Sequence, residues 1–154
     1  MTDFDPKNPP ITLPLGPILA KGFSVWALIG AGGFGALMLA HPASAPEVAA
    51  GASVSWFAAL ACLLAARPWS AKPVQAWGAI LVLMQGISVL LVIAGTLALL
   101  YSSPLSDPLA LTLTEVVSFI ASWAVIARAY QLQSSAAQRG GASSEIADQP
   151  TDSV

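Results

Sequence analysis

The chain has 154 residues, a formal net charge of −2, 56% apolar residues and 9% charged ones. An average soluble domain carries about 25% charged residues, so this composition excludes an ordinary water-facing surface. With six Lys or Arg in all, there is no basic patch to neutralise phosphates, and no nucleic-acid partner is expected.

Residues 1–21 carry Pro6, Pro9, Pro10, Pro14 and Pro17. A segment so punctuated is expected to be extended and mobile. Four apolar runs follow, at 22–40, 48–66, 76–100 and 109–127. Runs of about 18 or more apolar residues are candidates to span a bilayer of about 30 Å. The fold class read from this pattern is an all-α integral membrane protein, a bundle of four transmembrane helices, with the lipid bilayer as its solvent. Residues 131–154 are polar and are expected to form a disordered cytoplasmic tail. The fourth helix is expected to run on to about Gln138 before Gly140 and Gly141 stop it. The Ala43-Ser44-Ala45 pattern looks like a signal-peptide cleavage site. The apolar run before it is longer than the usual 7–15 residues, so cleavage is not expected.

Basic residues set the orientation. Lys7 and Lys21 precede the first run, Arg67 and Lys72 lie between the second and third, and Arg128 and Arg139 follow the fourth. The two other loops contain neither Lys nor Arg. The positive-inside rule then places both termini in the cytoplasm, and the expected location is the inner (plasma) membrane of a bacterium. Phe23, Trp26, Trp69, Trp77, Trp123 and Tyr130 fall near the inner interface and Tyr101 near the outer one, as anchoring aromatics do.

The outer loops read Pro42-Ala-Ser44-Ala-Pro46 and Pro104-Leu-Ser106-Asp-Pro108. The offset of 62 that superposes these P-x-S-x-P loops also pairs Gly33 with Gly95, Val54 with Val116 and Phe57 with Phe119. It suggests a parallel two-hairpin repeat, in which Ser53 and Glu115 occupy equivalent places.

Gly30-Ala-Gly32-Gly-Phe-Gly35 fits G-x-G-x-x-G. A nucleotide loop needs a strand before the glycines, and these lie inside an apolar run, so that reading is rejected. The pattern reads instead as helix-packing faces of small residues: Ala27, Ala31 and Gly35, with Gly32 and Ala36 beside them. Gly51, Ser55 and Ala59 form another in the second run. Such faces let backbones approach within the bundle or against a partner.

Glu115 is the one charge inside the four runs. A carboxylate there costs about 2.5–3.5 kcal/mol on insertion scales and should face the bundle or a partner. Ser118 and Ser122 share its face and Thr112 lies at the edge. This stripe is the candidate ion or ligand site, against the plainer reading of a neutral or snorkelling Glu reaching toward His41. Gln85 in the third run is a second candidate, with an interhelical hydrogen bond as its plainer role. His41 reads as an interfacial polar residue. The lone cysteine, Cys62, reads as a small buried hydrophobe. One His and one Cys on different helices make neither a catalytic constellation nor a metal site, and no cofactor is expected.

In size and span number the chain resembles the small multidrug-resistance transporters. That family carries its membrane Glu in the first helix, whereas here it is in the fourth. The topology is also similar to the ATP synthase subunit I family, four-helix assembly proteins with both ends inside. That family's third helix carries a Gly-Glu and a Lys, where this chain has Gln85-Gly86. The expected function is a non-enzymatic membrane subunit or assembly protein that packs on a membrane-protein partner. The alternative is a small homo-oligomeric transporter or ion-conducting protein with Glu115 as its proton or cation site.

Overall fold

The computed structural model describes residues 8–102 and 107–147. Helix dominates, and each apolar run pairs its backbone groups within itself. Helix α1 (Leu15–Trp26) passes through a single wide π turn (Ala27–Ala31) into α2 (Gly32–Ala40), making one rod. A short 3-10 turn at Pro42–Ser44 leads into α3 (Ala45–Ala65). Then come α4 (Val74–Ser102) and α5 (Pro108–Ala147). Four segments are long and apolar enough to cross a bilayer: Leu15–Leu39, Pro42–Ala65, Val74–Ser102 and Pro108–Arg139.

The second rod, α3, is the centre of the bundle. Its side chains form three stripes, each serving a different neighbour. Val48, Ala52 and Trp56 meet Gly33, Gly30 and Gly22 of the first rod. Gly51 and Ser55 meet α5, and Val54 meets Gly95 of α4. Glycine is required at Gly51, where an added Cβ would stand 2.7 Å from the Leu111 carbonyl oxygen. At Gly22 an added Cβ would overlap the Trp56 ring. The core lies toward the Trp77 end, where Ile18, Leu63, Trp77 and Ile126 are buried with Cys62.

Several boundaries differ from the sequence expectation. The first helix starts at Leu15 rather than Gly22, because its early turns bury Ile18 against that core. Residues 8–13 are extended, and they are hydrogen-bonded to the segment that follows α3. Pro10–Ile11 pairs antiparallel with Lys72–Pro73, a two-strand ribbon that the all-α reading lacks. Leu13 N–H donates to the Pro68 carbonyl, and Trp77 Nε1 donates to that of Ile11. Residues 1–7 lie outside the described residues. At the other terminus, α5 continues as helix to Ala147, through the two glycines expected to stop it. Each glycine costs about 1 kcal/mol relative to Ala, but extending an existing helix avoids nucleation. Residues 148–154 of the expected disordered tail lie outside the described residues.

The two hairpins pack differently. Gly33 meets Val48 within its own hairpin, whereas its repeat mate Gly95 meets Val54 of the other hairpin. Most of the second P-x-S-x-P loop, residues 103–106, lies outside the described residues. Among the aromatics, Trp77 and Trp123 are core residues rather than anchors, while Phe23, Trp69 and Tyr101 are exposed.

Candidate functional site: a carboxyl held between three helices

Glu115 is 4% exposed. Two neighbours of α3 make its place. Gly51 has no side chain, so α5 comes close enough that a Cβ there would lie 3.2 Å from Glu115 Cγ. Ser55 Oγ donates to the Glu115 carbonyl oxygen at 2.8 Å. The carboxyl group itself points toward α4. There Thr96 Oγ1 lies 2.7 Å from one carboxyl oxygen and 2.8 Å from the other. The same hydroxyl is 2.9 Å from the Val92 carbonyl oxygen. One hydroxyl proton cannot serve three acceptors. A second proton, on the carboxyl, would let it donate to Thr96 while Thr96 donates to Val92.

Beyond Thr96 the gap between α4 and α5 opens into a groove of about 420 Å³. Val92, Ile93, Phe119 and Val116 line it, with Thr112 at its edge. Thr112 Oγ1 donates to the Pro108 carbonyl, so its hydroxyl is tied to its own helix. Phe119 divides this groove from a second one of about 450 Å³, lined by Gln85, Trp123 and Tyr130. Gln85 is exposed there, at the level of Trp123, and is not part of the Glu115 site. The expected interhelical hydrogen bond is absent among the described residues. That role falls to Ser88, three residues on, which accepts from Trp123 Nε1 at 2.9 Å and donates to the Gln85 carbonyl.

Ser118 and Ser122 are each 2% exposed, on the buried face of α5. Ser118 Oγ has no hydrogen-bond partner among the described residues. Ser53, the repeat mate of Glu115, accepts from Trp26 Nε1 at 3.2 Å and donates to the Ala49 carbonyl. It makes a different contact on a different face.

The small-residue faces divide sharply. Gly51, Ser55 and Ala59 are buried. On the first rod, Ala27 is half-buried, and Ala31, Gly32, Gly35 and Ala36 are exposed. Nothing lies within 4 Å of a Cβ placed on Gly32 or Gly35. The π turn explains this. It adds part of a turn, so Gly30 and Gly33 rotate inward and the expected stripe rotates out.

At the Pro42 end, His41 is exposed. Glu115 turns to Thr96 rather than snorkelling toward it. Asp107 caps α5: Oδ1 accepts from Ala110 N–H at 3.0 Å, and Oδ2 accepts from Ser44 Oγ at 2.8 Å. The Ala110 N–H and then the Ser44 hydroxyl hold the Asp107 carboxyl below the usual carboxylate range. Glu47, in the first turn of α3, is a buried acid that the apolar-run reading assigns to a loop. Thr96, Ser88 and Asp107 were also missed. Thr and Ser at mid-helix usually bond their own backbone, so their sequence signal is weak. Among the described residues, no three His, Cys, Asp or Glu side chains could hold a metal ion. No known family model, curated protein or solved structure matches the chain.

Proposed function

We propose that the chain is an integral membrane protein with both termini in the cytoplasm, a non-enzymatic subunit or assembly protein of a membrane complex. The observation that carries this reading is the outward stripe Ala31, Gly32, Gly35 and Ala36. The equivalent stripe on α3 is used up inside the chain by α5, and this one is not. In lipid, a small-residue face gains by letting another helix approach closely. The lone His is exposed at the Pro42 end and the lone Cys is buried in the core, which supports a non-enzymatic role. The test is mass spectrometry of the tagged full chain purified from its own membrane in mild detergent. One companion in fixed ratio is expected, and Gly35→Leu should remove it without lowering the Tm of the chain. Recovery of the chain alone, or only with itself, would remove this reading.

A second reading, a small transporter or ion-conducting protein, is favoured by one observation. The Glu115 carboxyl and Thr96 border an open groove between α4 and α5. In vesicles carrying a pH dye, a coupling carboxyl predicts that Glu115→Gln abolishes proton flux while the protein still assembles. Unchanged flux and pH dependence in that variant would exclude it.

A further inference from the structure

A small cleft lies between the start of α1 and α5, at the Trp77 end of the bundle. Its volume is about 120 Å³. Pro14, Ile18 and Lys21 form one wall, and Val125, Arg128 and Leu132 form the other. Two cations from two different helices therefore converge on one cleft. Both are exposed, and neither is ion-paired among the described residues. The carboxylates whose side chains are described lie elsewhere: Glu47 and Asp107 toward the Pro42 end, and Glu115 further along α5 on Thr96. The walls beside the two charges are apolar, and Leu132 is 59% exposed.

We infer that Lys21 and Arg128 bind the phosphate of an anionic phospholipid in this cleft, joining α1 to α5. The inference rests on the membrane reading above. That reading puts both cations at the cytoplasmic ends of the apolar spans, where headgroups lie. Basic pockets between helices on this side bind anionic headgroups. Arg offers a planar fork to two phosphate oxygens, and Lys adds a compact charge. The volume corresponds to about four water molecules, enough for a phosphate group at the mouth of the cleft. The acyl chains would then lie along the half-buried Val125 toward the bilayer centre.

The test uses the purified full chain in detergent, with Tm followed as lipid is added. Phosphatidylglycerol should raise the Tm by about 3 °C, and phosphatidylcholine should not. The Lys21→Gln/Arg128→Gln double variant should lose that rise, while Arg67→Gln, outside the cleft, should keep it. An undiminished rise in the double variant would overturn the inference, as would no rise in the native chain. An equal rise with inorganic phosphate would replace the lipid with free phosphate and overturn it too. Carbonate extraction of cell membranes separates the two claims. A chain that washes off the membrane fails the membrane reading itself, whereas one that stays but ignores phosphatidylglycerol fails only the lipid site.

Discussion

The Glu115–Thr96 pair shows how far single residues could be read. A charge in an apolar run is conspicuous in sequence, because its insertion cost demands a reason. Its partner is not conspicuous, since Thr96 could as well have bonded only its own helix. Removing the partner should cost more than exchanging the acid for its amide. Thr96→Val leaves a buried carboxyl without its hydroxyl and should destabilise by about 1–3 kcal/mol. Glu115→Gln offers a donor and an acceptor in nearly the same shape and should change the Tm little. Ser118 gives the opposite sign. Its hydroxyl is buried without a partner among the described residues, so Ser118→Ala should be neutral or stabilising in the same melting experiment. Asp107 adds a pH dependence. Its carboxyl is held below its ordinary value, so the unfolded chain takes up that proton first as pH falls. The stabilisation is complete above the unfolded pKa of about 4 and is lost as pH falls through the lower folded value. Asp107→Asn should flatten the Tm-against-pH curve in that acid window.

At the scale of elements, four helices long and apolar enough to cross a bilayer were legible and their facing was not. Length and apolarity fix a span because the backbone has no other partner in lipid. Which side of a helix turns inward depends on neighbours far away in sequence. A four-residue spacing of small residues marks a face without saying what fills it. The π turn at Ala27–Ala31 makes this concrete, since it turns Gly30 and Gly33 inward and Gly32 and Gly35 outward. The two kinds of glycine should therefore respond oppositely to alanine. Gly51→Ala pushes α3 off the Leu111 carbonyl and should cost about 1–3 kcal/mol. Gly35→Ala meets open space and should stabilise the isolated chain by about 0.5–1 kcal/mol through helix propensity. Thermal unfolding of both variants checks the contrast. The N-terminal ribbon was illegible for a related reason. Its partners are loop backbone groups some 60 residues on, and a Pro-rich segment carries no sequence mark of them.

Across the whole molecule, the two ends are held by different chemistry. At the Pro42 end, the Ser44–Asp107 hydrogen bond ties α3's entry to the start of α5. The Trp77 end is fastened by the ribbon, by Trp77 on Ile11, and by Tyr130, whose hydroxyl donates to the Val74 carbonyl at 3.1 Å. Lys72 adds its ammonium over the Trp77 ring, 4.4 Å from the centroid. That better-fastened end also carries the basic residues, which underlies the orientation proposed. The most direct test is labelling by a membrane-impermeant thiol reagent on intact cells. Cys62 is buried and should stay silent. A chain carrying Ser102→Cys should label from outside, and one carrying Trp69→Cys only after permeabilisation. Labelling of Trp69→Cys in intact cells, with Ser102→Cys protected, would reverse the orientation. Labelling of both from one side would contradict a bundle that crosses the membrane.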